Sequence, residues 1–410
     1  MPVRSKTPLV VVIIAAVAAA ASLVAAPAAA APSTNGVIAF RTDREGDGEI
    51  YAMDASGGSL ANLTRSSSIQ DLDPAWSPDG ETVAFSRRAK PTVQPDLFLM
   101  NAGGRERVRL TRTRVAERHP AWSPDGTMIA YTARTSPGGP FRIFVVRANG
   151  TRRVQLTTQS TGTYDAAPSW SPDGTRIAFQ TNRDGGFPEL YVMNADGTGQ
   201  TRLTTNGYVD GNPAWSPDGT RIAFVRCCAD GTNEIYVMNA DGTGEVNLTQ
   251  SAGLEESDPA WSPDGTKIVY AAVQSGGGNI DVYVMNADGT GQTQLTTDPA
   301  ADLAPAWQPV PICTITGTDE ADLLVGTFGN DVICAGGGDD VVQAGEGFDL
   351  VYGGPGNDSV EGEGGNDVLY GQGGDDVLSG GFGFDGLIGG AGTDTCTPGG
   401  GGAFTKTCEF

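Results

Sequence analysis

The sequence predicts an all-β chain in two parts, a six-bladed β-propeller followed by a stack of nine-residue repeats. Two observations carry this. All six tryptophans stand in one phrase, PAWSPDG or a near copy, at Trp76, Trp122, Trp170, Trp215, Trp261 and Trp307, spaced by 46, 48, 45, 46 and 46 residues. Repeats of about 40 to 50 residues made of four short strands are the units of propellers. From Gly317 onward the period becomes nine, and the sixth place of all nine units is aspartate.

In chain order, residues 1–31 come first and read as a secretory signal peptide: Arg4 and Lys6, an apolar run, then small residues that suit cleavage near Ala31. Residues 35–309 are expected to form the propeller. Four runs recur there: PAWSP, then R-I-A-F, then I-Y-V-M-N, then a segment ending in Leu-Thr. Each is a brief β-branched or aromatic run bounded by Pro, Asp or Gly, which is a strand signal. The run Ile235-Tyr236-Val237-Met238 is apolar at consecutive positions, so both faces of that strand need cover. Sheets stacked face to face around an axis provide it. The first R-I-A-F equivalent, Val37-Ile38-Ala39-Phe40, lacks a preceding tryptophan phrase, and the last phrase, Pro305-Ala306-Trp307, lacks a following R-I-A-F. Joined, these two fragments complete one blade and close the ring, which removes exposed sheet edges.

These phrases resemble the propeller repeats of the TolB-like family, also found in tricorn-type and dipeptidyl-peptidase-type propellers. The resemblance implies the fold and leaves function open, because propellers host binding proteins and enzymes alike. No G-x-S-x-G nucleophile elbow follows the ring. In four-stranded antiparallel blades, SPDG and NADGTG share one face, and the variable connections share the other. A partner site is expected on the variable face, around the central opening. His119, the only histidine, holds the residue-before-proline position that is Asp73 or Asp258 in other blades, and reads as structural. The tryptophans read as core. The stretch Asp43–Asp54 imitates an EF-hand loop, yet its second half is an ordinary I-Y-V-M-N strand.

The nonapeptides start at 317, 326, 335, 344, 353, 362, 371, 380 and 389. Their aspartates are Asp322, Asp331, Asp340, Asp349, Asp358, Asp367, Asp376, Asp385 and Asp394, each followed two residues later by an apolar or sulfur side chain. The pattern is similar to the RTX, or haemolysin-type, calcium-binding nonapeptide G-G-x-G-x-D-x-U-x. That resemblance implies a parallel β-roll over residues 310–410, with calcium as the cofactor and the nine aspartates as its metal-binding residues. Two nonapeptides per turn would align Asp322, Asp340, Asp358, Asp376 and Asp394 on one edge and the other four opposite. Unit charges about 4.8 Å apart repel by roughly 0.9 kcal/mol even in water, so calcium is expected to drive folding of the roll. The first unit, GTDEADLLV, reads as a cap, and Phe348 and Phe384 depart from the Asn or Asp usual at the fifth place. Units from 335 to 379 are expected to bind best.

Charge follows the same division. Of the formal net charge of -23, residues 312–410 carry 17 acidic side chains against one lysine. That excludes nucleic-acid backbone binding, which needs clustered Lys and Arg, and favours a cation. Six cysteines in an exported chain are expected to pair, with adjacency favouring Cys313 with Cys334 and Cys396 with Cys408, and Cys227 and Cys228 left open. The joint is expected near residue 310, in APAWQPVPIC, where the SPDG turn is missing.

The functional expectation is a secreted or cell-surface-associated calcium-binding protein, non-catalytic, whose propeller is a platform for a protein or envelope polymer. No transmembrane segment is expected in the mature chain. The alternative is an extracellular propeller enzyme, a hydrolase or polysaccharide lyase, with a calcium-stabilised C-terminal domain.

Overall fold

The computed structural model describes residues 33–410 except 67, 90–93, 106, 159–161, 228–231, 252, 275–276, 384, 401–402, 407 and 409–410. The expected leader, Cys228 and Phe384 lie outside the described residues. Every regular element described is a strand, and six four-stranded antiparallel sheets precede two long parallel sheets and a short two-stranded parallel one.

In each blade the tryptophan strand is innermost, and the short strand ending in Leu-Thr is outermost. The closing blade takes its inner strand, Asp302–Pro311, from the far end of the ring and pairs it with Ser33–Thr42, next to Glu49–Met53 and Ala61–Asn62. Pairing runs from Thr42 against Asp302 to Ser33 against Pro311. The strand therefore continues past the expected joint: with no SPDG turn to end it, Val310 and Pro311 stay paired with Thr34 and Ser33.

The recurring phrases have separate physical jobs. The apolar strand is covered on both faces, as the five consecutive buried residues of Glu49–Met53 illustrate. The Leu-Thr threonine points inward, and its hydroxyl accepts from the amide of the second or third residue of the neighbouring strand. This bond is 2.9–3.0 Å long in all six blades, to Thr64, Thr111, Thr157, Thr204, Thr249 and Thr296. The residue before each inner-strand proline has positive φ, 49–53°, and interrupts the ladder as a bulge. Six such bends turn the start of every inner strand toward the axis.

In the C-terminal part, partners lie 18 residues apart, as in Val332 against Leu350 and Leu350 against Val368, so two nonapeptides make one turn. A thin core of Ile333, Val342, Val351, Val360, Leu369, Leu378 and Leu387 fills the space between the two sheets. Disulfides join Cys313 to Cys334 and Cys396 to Cys408, with Cα atoms 5.8 and 5.7 Å apart.

The outward faces of the two sheets differ. On one, Leu323, Val325, Val341 and Val377 are 44–68% exposed. On the other, Val332, Leu350, Val368 and Tyr370 are buried together with part of Phe348 and Tyr352. This second face lies against the SPDG loops of the propeller. Tyr352 donates to the backbone carbonyl of Asp79 at 3.3 Å, and Tyr370 donates to the Asp79 carboxylate. Phe348 and Leu350 stand over Pro78, Pro124, Pro217, Pro263 and Pro309, around the axis of the ring. Phe348 departs from the nonapeptide pattern because its place faces the propeller, where an aromatic ring gains buried apolar area.

An unpaired charge in this interface is costly, while one on the outer sheet is solvated. Val368→Asp is expected to lower stability by about 3 kcal/mol and to expose the joint to limited proteolysis, whereas Val377→Asp changes it by less than about 0.5 kcal/mol. Equal loss in both variants, measured by denaturant titration, would contradict the docked arrangement.

Candidate calcium edges and the open propeller face

The 18-residue repeat places the nine aspartates in two columns, five on one edge of the roll and four on the other. Within each column the amide of one aspartate donates to Oδ1 of the aspartate one turn later. Asp340 to Asp358 spans 2.9 Å, Asp358 to Asp376 2.8 Å, and Asp349 to Asp367 3.0 Å. This uses one oxygen of each carboxylate. The other oxygen, Oδ2, is buried without a hydrogen-bond partner in Asp340, Asp349, Asp358, Asp367, Asp376 and Asp385. The first two units differ: Thr318 and Thr327 donate both amide and hydroxyl to Oδ2 of Asp322 and Asp331 at 2.6–2.9 Å. Threonine replaces glycine at the second place there, so these two aspartates are already satisfied. Asp394 accepts from the Asp376 amide at 3.0 Å.

Units 353, 362 and 371 open on a glycine that explains where a cation fits, whereas units 335 and 344 open on the buried Ala335 and Ala344. A Cβ on Gly353 would lie 2.5 Å from Oδ2 of Asp358 and 2.8 Å from the carbonyl of Gly371. On Gly362 it would lie 2.7 Å from Oδ2 of Asp367 and 2.7 Å from the carbonyl of Gly380. A carboxylate oxygen and a carbonyl of the next turn thus converge on a point that any side chain would fill. Among the described residues, no three His, Cys, Asp or Glu side chains converge as a ligand group. A cation here would take most of its oxygens from the backbone, as the hard, oxygen-seeking calcium ion can.

The electrostatics point the same way. Burial pushes the Asp349 carboxyl up to about 7, and the Asp331 charge adds to this while the Asp331 amide opposes it. Burial likewise holds Asp358 at about 6 and Asp367 at about 8. Carboxyls this reluctant to ionise need either protons or a positive partner.

On the propeller, the variable face surrounds a cavity of about 280 Å³ at the mouth of the central opening. The residues before the six prolines line it: Asp73, His119, Ala167, Asn212, Asp258 and Ala304, with Arg41 beside them. Asn212 donates to Asp258, and the His119 amide donates to Asp73 at 3.3 Å. The His119 ring stands 3.4 Å from the Thr132 hydroxyl. Burial holds Asp258 above the usual carboxylate range, with Asp73 reinforcing and His119 opposing. His119 therefore sits in the bulge ring, as its sequence position implied. The EF-hand-like stretch does not gather its acids: Asp43 accepts from Ala301, Asp47 from Ser68 and Asp54 from Ser56 and Gly58.

Asp79, Tyr352 and Tyr370 were not singled out by sequence reasoning. Tyrosine at the ninth place of two units one turn apart was the available signal, since the equivalent outer-sheet positions are Val325, Gln343, Glu361 and Ser379. No helix among the described residues is long and apolar enough to cross a membrane.

Known proteins resemble both parts. The TolB beta propeller domain family matches residues 71–166 and 143–276, together half of the chain, and the RTX calcium-binding nonapeptide repeat matches 316–351, 352–387 and 370–402. The Protein TolB homolog of Chlorobium luteolum is 46% identical over 68 residues, 17% of this chain and 15% of that protein. The Tol-Pal system protein TolB of Desulfosudis oleivorans is 42% identical over 62 residues, 15% of this chain and 14% of that protein. The chain thus matches about one seventh of the length of these curated relatives. The crystal structure of TolB from Acinetobacter baumannii shares the fold at 24% identity with a TM-score of 0.57, covering 67% of this chain and 66% of that one. With a matched propeller profile over half its length and matched nonapeptides after it, the chain belongs to the TolB-type β-propeller family and carries RTX calcium-binding repeats behind the ring.

Proposed function

We propose that the protein is a secreted, non-catalytic binding platform in which residues 310–410 form a calcium-dependent roll and residues 35–309 a propeller that presents its variable face to a partner. The observation that carries the calcium assignment is the set of buried, unpartnered Oδ2 atoms on Asp340, Asp349, Asp358, Asp367, Asp376 and Asp385. These carboxylates, with Asp322, Asp331 and Asp394 completing the columns, would hold calcium together with carbonyls such as those of Gly371 and Gly380. A bound divalent cation would neutralise the charge that burial otherwise penalises. The chain's own residues do the rest: the glycines that open units such as 353, 362 and 371 leave room, and the column of amides orients the carboxylates through Oδ1.

Folding of the roll assembles the sheet that meets the SPDG loops, so calcium would also fix the roll on the propeller. That leaves the variable face open. The envelope reading rests on the leader at 1–31 and on the millimolar calcium such repeats need outside cells. A protein or polymer partner is favoured over a substrate because the acids at the channel mouth are engaged: Asp258 by Asn212 and Ser257, and Asp73 by Ser86 and the His119 amide.

Two outcomes test this. Far-ultraviolet circular dichroism of the full chain should gain β signal on adding millimolar calcium, and Gly371→Ala should weaken calcium binding by at least about tenfold, since its Cβ would meet the Asp376 carboxylate. An unchanged calcium isotherm in that variant would remove the assigned geometry. In the second experiment, immobilised protein should retain an envelope component from the producing organism with calcium and release it with a chelator. Steady turnover of a polysaccharide or peptide by the purified protein would instead favour the hydrolase or lyase alternative.

A further inference from the structure

Every blade buries one carboxylate at the start of its inner strand: Asp71, Glu117, Asp165, Asp210, Glu256 and Asp302, each with no exposed surface. In five blades an arginine neutralises it. Arg87 reaches Asp71 at 2.6 Å, Arg183 reaches Asp165 at 2.9 Å, Arg226 reaches Asp210 at 2.7 Å, Arg44 reaches Asp302 at 3.2 Å, and Arg153 approaches Glu117 at 3.8 Å. The same five guanidinium groups cover a pair of aromatic rings. Arg226, for instance, lies 5.1 and 4.8 Å from the rings of Phe224 and Tyr236, and Arg44 lies 5.6 and 4.9 Å from Phe40 and Tyr51.

These arginines come from three different places in the repeat. Arg87 and Arg226 stand two residues after the aromatic of the second strand, Arg44 and Arg183 stand four after it, and Arg153 immediately precedes the outer strand Val154–Gln155. One slot is thus filled by three routes. Carboxylate and aromatic pair are what these routes share, so those groups define the slot and its preferred occupant.

The blade at 254–294 has the slot and lacks the occupant. Glu256 supplies the carboxylate, and Tyr270 and Tyr283 stack with centroids 5.7 Å apart. The three arginine positions hold Ala272, Gln274 and Gln292, and Lys267, the only basic residue between 227 and 405, donates instead to Asn286 at 3.1 Å. Oε1 of Glu256 and the hydroxyl of Tyr270 are both buried without a hydrogen-bond partner. The equivalent hydroxyl of Tyr131 accepts from Arg153 at 2.8 Å. Burial pushes Glu256 up to about 7, against donors on Thr249 and Ser251 and with the Glu234 charge adding.

We propose that this blade is a receptor for an arginine side chain presented by a partner protein, whose guanidinium would pair with Glu256 and lie over Tyr270 and Tyr283. Glu256 and Tyr270 have no exposed surface, so an entering guanidinium would displace the exposed Gln274 and Gln292, which stand at two of the arginine positions; the five resident arginine side chains are themselves 7–35% exposed. A planar guanidinium can pair with the carboxylate and stack on the rings at once, which an ammonium ion cannot. The inference gives a chemical class to the partner proposed above and rests on that reading.

The probe is N-acetyl-L-arginine amide, titrated into the full-length protein with calcium present and compared with N-acetyl-L-lysine amide. Saturable binding in the millimolar range is expected, about fivefold weaker for the lysine analogue. Glu256→Gln keeps the shape and should abolish binding. Ala272→Arg supplies the missing guanidinium from within and should both abolish binding and raise the melting temperature; if that variant fails to fold, Glu256→Gln still decides. No saturable binding to the wild-type protein, or equal binding to Glu256→Gln, would overturn the slot. Such a result leaves calcium-dependent retention of an envelope partner intact, so the two readings fail separately.

Discussion

A buried carboxylate must find a positive partner, and this chain buries at least one in every blade and one in every nonapeptide after the first. Removing one partner from a buried ion pair costs about 3 to 5 kcal/mol. Six blades place an acid at the start of the inner strand, and the nonapeptides place an aspartate at every ninth residue. The propeller answers mainly with arginine from its own chain. The roll contains no arginine, so a cation for its aspartates would have to come from solution. The difference in charge between the two parts follows directly: a near-balanced ring, and a tail carrying most of the -23.

The same constraint arranges the two parts in space. A roll whose edges carry carboxylates can offer only its sheet faces for packing, and only one of those faces is apolar enough over its whole height. Val332, Leu350 and Val368 alternate with Cys334, Tyr352 and Tyr370 there, and the two tyrosine rings stack at 5.2 Å. The SPDG loops form a suitable counter-surface because each turn satisfies itself: Ser77 and Asp79 bond to one another and close back on Thr82. Asp79 retains an oxygen for Tyr370. The edges are left free for calcium, and the variable propeller face is left free on the far side.

Much of the architecture was legible in the sequence because it depends on periodicity. Tryptophan spacing gave the blade count, and the orphaned Val37–Phe40 and Pro305–Trp307 fragments gave the ring closure, since each is half of a motif seen whole five times. The 18-residue turn of the roll needed the family resemblance as well as the ruler. What stayed hidden depends on contacts between parts with different periods. Phe348 read as a flaw in the nonapeptide until its position over the prolines of the SPDG loops was visible. The continuation of the closing strand to Pro311 was hidden because proline usually ends a strand, yet an edge-like pairing with Ser33 tolerates it.

The arginine slots were hidden for a different reason. A repeat alignment looks for the same residue at the same place, and the slot is filled from three places. Arg87, Arg183 and Arg153 look unrelated in sequence and become equivalent only when their guanidinium groups are seen over the same aromatic pair beside the same acid. Once that equivalence is seen, the blade at 254–294 stands out: it retains the acid and both rings, and none of the three routes delivers a cation. In the roll, no residue from 317 to 397 is basic, so a cation there would have to be supplied by the medium. In the propeller the lack of an internal cation occurs once, beside aromatic rings, and implies a cation of a shape the other five blades already define.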